Sequence, residues 1–356
     1  MFDRFFKKSP KSFNVQIEPS GKTLSVAARE TILEAALKSG IAYPHECQVG
    51  TCTSCKSQLV EGEIKPLTDF SYVLDSEEMK AGMFLACQTR PKSALVINVP
   101  FIEDGPEVVD AINLSGKISS ITPLTQDIDE VTVSVEHDLR YCAGQYANLF
   151  IPGISESRSY SFSNAPSSQG SNLLKFHIRK IPGGEVSGWL SSKNRIGETL
   201  RVEGPFGVFR LRKAESPILC IAGGSGMAPI KAILEQALIT QVARPVVFLY
   251  GARTQKDLYD ASLIDGIAEK WNAPFRFIPI LSAEAKDTAW AGARGLVADF
   301  ITSLDDFELS MSQAYLCGPP PMIDTAISVL NTAGVTSGEI FYDKFTDRSH
   351  LADMKI

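Results

Sequence analysis

The sequence predicts a multidomain α+β and α/β protein: a small α+β unit, an antiparallel β-barrel and a doubly wound parallel sheet, in that order. Three observations predict it. Four cysteines fall within the first hundred residues at unequal, purposeful spacing. A middle region carries short strands bounded by Gly, Pro, Ser or Asn. A last region alternates apolar strands with helical segments.

Residues 13–101 form the first expected domain. FNVQIE alternates with period two, Ser20-Gly21 turns the chain, and ETILEAALKSG has helical spacing with Gly40 as its stop. ALVINV reads as the closing strand. Between helix and strand, Cys47, Cys52 and Cys55 stand as Cys-x4-Cys-x2-Cys in ECQVGTCTSC, and Cys87 follows in FLACQTR. That is the plant-type [2Fe–2S] ferredoxin spacing, in which four thiolates hold two irons. Gly50 lets backbone amides approach the sulfides. A four-thiolate zinc site is the alternative, but it pairs Cys-x2-Cys with a second Cys-x2-Cys.

FIEDGPEVVD, rich in acids and bearing Pro, marks a linker over 102–114. The barrel is expected over 115–212, from GKISSIT, EVTVSVE, GQYANLF, RSYSFS, LKFHIRK and ETLRVE, with GGEVSGWLSS as one helical interruption. In RSYSFSN, Arg158 and Tyr160 share one face of a strand and Ser161 takes the other. Arg offers a charged fork for pyrophosphate and Tyr a flat stacking surface, though composition alone favours a plain strand with a surface Arg. GGEVS, with Gly184 and Ser187, suits either a phosphate contact or a simple helix cap.

The third domain is expected over 216–345. PILCIAGG leads to a helix from Met227, PVVFLY to one near Leu263, FRFIPIL to a later one, QAYLCG to PPPMIDTAISVL, and GEIFYDKF closes the set. Gly223, Gly224 and Gly226 of AGGSGMAP sit between strand and helix, where backbone amides can meet phosphate oxygens. Cys317 and Gly318 of CGPPPM occupy the matching position after a later strand, so both loops open on one crevice. Buried apolar packing is the other reading of Cys317.

Composition bounds the rest. With 356 residues, 44% hydrophobic and 21% charged, the chain is ordinary globular protein. A net charge of −6 argues against nucleic-acid binding. No apolar run reaches membrane-spanning length, and MFDRFFKKSPKSF lacks a signal-peptide core. Seven cysteines, four of them ligands, fit a reducing compartment, so a cytoplasmic protein is expected.

Taken together, these motifs resemble the NADH-dependent ferredoxin/FAD reductase components of bacterial multicomponent oxygenases, whose members serve xylene, toluene, methane and benzoate oxygenases. The resemblance spans nearly the whole chain. It implies a β-grasp ferredoxin domain, a flavin barrel and a nicotinamide domain, with [2Fe–2S], FAD and NADH as cofactors. It implies that Arg158 holds the FAD phosphates, Tyr160 stacks on the isoalloxazine and Ser161 lies near its N5. His177, Ile178 and Arg179 match the second flavin strand, Gly184 and Ser187 the pyrophosphate turn, and Phe345 the shielding aromatic. Eleven residues follow Phe345, unlike the plant reductases, where that aromatic ends the chain. Gly223, Gly224, Gly226 and Gly318 would take the dinucleotide. Ser161, Cys317 and Asp343 would line the hydride-transfer site. In YGARTQKDLYD, Asp257 and Tyr259 would serve the adenosine ribose, and Arg253 alone keeps NADPH open.

The implied acceptor is an oxygenase protein, possibly membrane-bound, receiving single electrons from a monomeric reductase. A reductase of a deoxysugar dehydratase and a non-catalytic iron–sulfur sensor are the competing readings. The flavin motif argues against the sensor. Six acids between Glu61 and Glu78, against Lys65 alone, suggest a docking face for the acceptor. MFDRFFKK, with three Phe beside two Lys, suggests either a weak membrane contact or a tail.

Overall fold

The computed structural model describes residues 12–41, 43–45, 50, 55–71, 73–74, 76–99, 109 and 111–345. Cys47, Cys52, the N-terminal MFDRFFKK and most of the expected linker lie outside them. The chain divides into two compact units, Met1–Asp110 and Ala111–Ile356.

In the first unit β1 (Ser12–Glu18) and β2 (Lys22–Ala27) form a hairpin, followed by α1 (Ile32–Lys38). Then come β3 (Lys56–Glu61), β4 (Ile64–Pro66), α2 (Ser76–Lys80), β5 (Met83–Leu85), β6 (Thr89–Pro91) and β7 (Leu95–Asn98). The main sheet runs β2-β1-β7-β3-β5, with β7 parallel to β1 and antiparallel to β3. Alternation explains the layering: Val15 and Ile17 of β1 and Leu24 and Val26 of β2 point inward, toward Ile32, Leu33, Ala35 and Ala36 of α1. Thr31 starts α1 with a reciprocal cap: its hydroxyl accepts from Glu34 N, and the Glu34 carboxylate accepts from Thr31 N.

The second unit holds both a barrel and a parallel sheet. The barrel strands are β8 (Ile112–Pro123), β9 (Ile128–Leu139), β10 (Tyr146–Phe150), β11 (Arg158–Ser161), β12 (Ser171–Arg179) and β13 (Thr199–Phe206), with α3 (Glu185–Ser192) between the last two. Their order is β11-β10-β13-β8-β9-β12, all antiparallel. A bridge from Phe162 to Phe176 brings the chain just past β11 to β12, which curls the sheet closed. Phe162, Phe176, Val131, Val133, Leu149 and Val202 fill its interior.

The parallel sheet follows with β14 (Ile218–Gly223), α4 (Met227–Ile239), β15 (Val246–Ala252), α5 (Ala261–Glu269), β16 (Phe275–Leu281), β17 (Ala293–Arg294), α6 (Val297–Ile301), β18 (Gln313–Gly318), α7 (Pro320–Thr332) and β19 (Ile340–Lys344). Its order is β17-β16-β15-β14-β18-β19, every pair parallel. Residues of β14 and β18 are buried throughout, because helices cover both faces. The order reverses between β14 and β18, so the crevice beyond the C-terminal ends of these two strands is the natural ligand position.

Candidate functional site

Two loops leave the sheet side by side. After β14 comes Gly223-Gly224-Ser225-Gly226, with Gly224 at φ +56°, and after β18 comes Gly318 at φ +149°. They pack so closely that a Cβ on Gly226 would lie 2.1 Å from the Cys317 carbonyl oxygen, and one on Gly223 would lie 2.6 Å from Met322 Sδ. Only glycine permits this approach, and it leaves a shallow cradle of backbone amides where α4 begins.

Next to these loops, β19 pairs with β18 so that Asp343 stands opposite Cys317. Ser161, from the barrel strand β11, donates its hydroxyl to Asp343 Oδ2 at 3.2 Å. Two of the three residues expected to line the transfer site, Ser161 and Asp343, thus bond where the barrel abuts the sheet, and Cys317 lies opposite Asp343 in the strand register. Cys317 is fully buried and Ser161 nearly so. Burial pushes the Asp343 carboxyl up to about 6, against the opposing pull of the Ser161 hydroxyl. The backbone N–H of Phe345, one residue past β19, donates to the Gly318 carbonyl at 2.9 Å, which ties this aromatic to the same loop.

On the barrel side, Arg158 Nη2 lies 2.6 Å from a Glu185 carboxylate oxygen in the first turn of α3. Arg158 and the Gly184 turn, read from sequence as two phosphate contacts, are therefore neighbours. Gly184 caps α3, and the Ser187 hydroxyl accepts from Ile181 N at 3.2 Å. That bond closes the turn, so what this turn offers an anion is backbone N–H. Tyr160 is half-buried at the barrel wall, and burial pushes its phenol up.

The structure gives several predicted cofactor residues other partners. Ile178 lies in the barrel core. The His177 side chain is buried: its Nδ1 is 3.3 Å from the Tyr259 hydroxyl, and burial pushes the imidazole below its ordinary value. Tyr259 was expected at the adenosine ribose. It is instead 6% exposed, with its hydroxyl donating to the Gly224 carbonyl at 2.9 Å, so it braces the glycine loop from beneath. Asp257 accepts from Thr254 N at 3.0 Å and Thr254 Oγ1 at 2.9 Å, capping its turn, and lies 2.5 Å from Arg253 Nη2. Arg179 reaches Asp127 of the β8–β9 turn, Nε to Oδ2, at 3.2 Å.

Sequence reasoning missed a buried charged cluster behind this region. Lys231 of α4, 4% exposed, sits 3.2 Å from Asp260 Oδ2 and 3.7 Å from Glu130 Oε2, and Glu130 also holds Lys175 at 2.9 Å. It pins β9 and β12 of the barrel to the start of α5. A lone lysine in the apolar run MAPIKAILEQALI was the available signal.

In the first unit, Cys55 and Cys87 are both buried, and the Cys87 backbone N–H donates to Cys55 Sγ at 3.4 Å. The Ser57 hydroxyl donates to the Cys55 carbonyl at 3.1 Å and also bonds the Tyr43 phenol. Gly50 has φ +89°, with room for a Cβ only 2.9 Å from Gln88 Cγ. Amide donation to a buried cysteine sulfur suits a metal-bound thiolate, so the two described ligands fit the expected cluster. The second unit's set, a cationic fork, two amide-bearing loop ends and half-buried aromatics, fits flat anionic dinucleotides.

A fold of this kind with these sites defines an iron–sulfur flavoprotein oxidoreductase. Residues 15–92 match the 2Fe-2S iron-sulfur cluster binding domain, 115–211 the oxidoreductase FAD-binding domain and 220–327 the oxidoreductase NAD-binding domain. The chain is 37% identical over 352 residues to the xylene/toluene monooxygenase electron transfer component of Pseudomonas putida, covering 97% of this chain and 99% of that one. It is 33% identical over 339 residues to the phenol 2-monooxygenase reductase component of Pseudomonas sp. strain CF600, covering 94% of each. Among solved structures it resembles the cytochrome P450 reductase of Amycolatopsis (TM-score 0.75, 30% identity, 94% and 99% covered) and the ferredoxin reductase in carbazole 1,9a-dioxygenase (0.66, 26%, 95% and 100%). The chain belongs to the family of reductase components of multicomponent monooxygenases, oxidoreductases with a 2Fe-2S, an FAD-binding and an NAD-binding domain.

The Asp343 environment makes a pH prediction. An unfolded Asp titrates near about 4, and the folded one near about 6, so the native state binds the extra proton between those values. Asp343 therefore costs stability as pH rises through that window and nothing further above it. The urea midpoint of Asp343→Asn should gain on the wild type from about pH 4 to 6 and then stay level. A difference constant from pH 4 to 7 would contradict this placement.

Proposed function

We propose that this protein carries electrons from NADH to the oxygenase component of an aromatic-hydrocarbon monooxygenase, with Ser161, Cys317 and Asp343 as the residues that hold nicotinamide against flavin. The observation that carries it is the Ser161–Asp343 hydrogen bond between two domains, with Cys317 opposite Asp343 in the strand register, supported by full-length similarity to a xylene/toluene reductase. The deoxysugar dehydratase reading is not favoured, since the related chains named above serve oxygenases.

NADH yields two electrons together and a [2Fe–2S] centre takes one, and bound FAD supplies the chemistry that reconciles them. The chain's own part is positioning. Arg158 and the Gly184 turn would hold the FAD pyrophosphate, Tyr160 its ring, and the main chain of His177, Ile178 and Arg179 its edge. Gly223, Gly224, Gly226 and Gly318 would seat the nicotinamide dinucleotide, with Arg253 and Asp257 beside the adenosine ribose. Phe345 would cover the face of the ring. The Ser161 hydroxyl keeps the Asp343 carboxylate at a fixed place beside Cys317, and the burial of Cys317 helps exclude water from the reacting face. Cys47, Cys52, Cys55 and Cys87 would ligate the cluster in a reducing, cytoplasmic setting. A monomer docking on a soluble or membrane-bound oxygenase completes the reading. No helix among the described residues is long and apolar enough to cross a membrane.

Cys87→Ser separates the two halves of the relay. The variant should keep NADH-dependent ferricyanide reduction by the flavin while losing the cluster's visible absorption and at least about 90% of cytochrome c reduction, the single-electron exit being gone. Equal cytochrome c rates would contradict the relay. The acid-rich segment of the first unit carries Glu61, Glu63, Asp69, Asp75, Glu77 and Glu78, with Glu78 ion-paired to Lys56. If this segment meets the acceptor, the rate of acceptor reduction should fall severalfold between about 50 and 300 mM salt, and a salt-independent rate would remove it.

A further inference from the structure

We infer that Asp127, on the barrel and outside the dinucleotide-binding motifs, is a selectivity residue that excludes a 2′-phosphorylated cofactor by neutralising Arg253. This rests on the reading that the loop after β15 faces the adenosine ribose, as the loop after the second strand does in doubly wound sheets. Arg253 is the first residue after β15, and its Nη2 is held by two carboxylates at once, Asp257 Oδ1 at 2.5 Å and Asp127 Oδ2 at 2.9 Å. Asp127 also holds Arg179 at 3.2 Å, so two arginines face two aspartates and the group is electrically neutral. Both arginine side chains stay accessible, at 48% and 42% exposure, whereas Asp257 is 9% exposed. A 2′-phosphate brings about two negative charges. Arriving here it would find its cation engaged and a carboxylate in its path.

The two aspartates have different jobs. Asp257 caps its own turn through Thr254, and removing it disturbs the loop itself. Asp127 comes from another domain, and its remaining side-chain bond is to the Thr125 hydroxyl, which donates to Oδ1 at 3.0 Å. Asn at 127 keeps that acceptor and removes only the charge. Loss of Asp127 leaves Arg253 and Arg179 with one compensating carboxylate between them, a net positive site where a phosphate would sit.

The test uses holoprotein and calorimetric titration with 5′-ADP and 2′,5′-ADP, with NADPH-to-NADH ratios of kcat/KM measured alongside. Wild type should bind 2′,5′-ADP no tighter than 5′-ADP. Asp127→Asn should favour 2′,5′-ADP by about tenfold, the scale of one charge-assisted contact, and raise the NADPH-to-NADH ratio to match. Asp127→Ser, which also keeps a short polar side chain in the turn, should do the same and serves if the first variant folds poorly. Adding Arg253→Ala should abolish the gain. An unchanged preference in both single variants overturns the inference. So does a gain that survives loss of Arg253, which would move the contact to Arg179 or Lys256. Failure of 5′-ADP to bind wild type would instead overturn the placement of the ribose, and with it the reading on which this inference stands.

Discussion

The hydrogen bond from Ser161 to Asp343 is the constraint on which the proposed chemistry of the second unit rests. It joins a barrel strand to the last strand of the parallel sheet, 182 residues apart in the chain, beside the buried Cys317. A hydroxyl aimed at a half-buried carboxylate links the two domains at the place where, on the proposed reading, two flat cofactors would lie in contact. Orientation of that kind is the protein's share of a hydride transfer, since the cofactors carry the reactive bonds.

That contact is kept in register by polar groups deeper in the same seam. Lys231, Glu130 and Asp260 bury opposite charges between barrel and sheet, with the more exposed Lys175 also on Glu130. Such pairs add little net stability, because desolvation offsets attraction, yet breaking one leaves an uncompensated buried charge. They therefore penalise sliding more than they reward docking. Tyr259 carries the same restraint to the glycine loop through the Gly224 carbonyl. In the first unit the equivalent economy is local: the Cys87 amide donates to Cys55 sulfur, and the Tyr43–Ser57 pair holds the Cys55 carbonyl.

Much of this was legible in the sequence, and the reasons are particular. Period-two alternation marked β1, and glycines at Gly226 and Gly318 marked the loops, because close approach at the first and φ +149° at the second exclude a side chain. RSYS was legible as a strand carrying Arg158 and Ser161. The sequence alone could not show which atom a side chain would meet. Tyr259 and Asp257 lie in the expected loop, but one turns inward to a carbonyl and the other caps its turn. His177 alternates onto the face that meets the parallel sheet. Lys231 and Asp127 act across domains, and pairings over more than a hundred residues leave no local pattern. The two-residue β17 is too short to carry any periodicity.

Stopped-flow reduction of anaerobic holoprotein by NADH tests the central claim most directly, because flavin bleaching and cluster reduction are read separately in one trace. With Cys317→Ala the first phase should slow by at least about tenfold, the cost of roughly 1.4 kcal/mol of lost positioning, while the second phase keeps its wild-type rate. A first phase as fast as wild type, or a slowing confined to the second, would contradict the assignment of the Ser161–Cys317–Asp343 seam as the place where the electron pair enters.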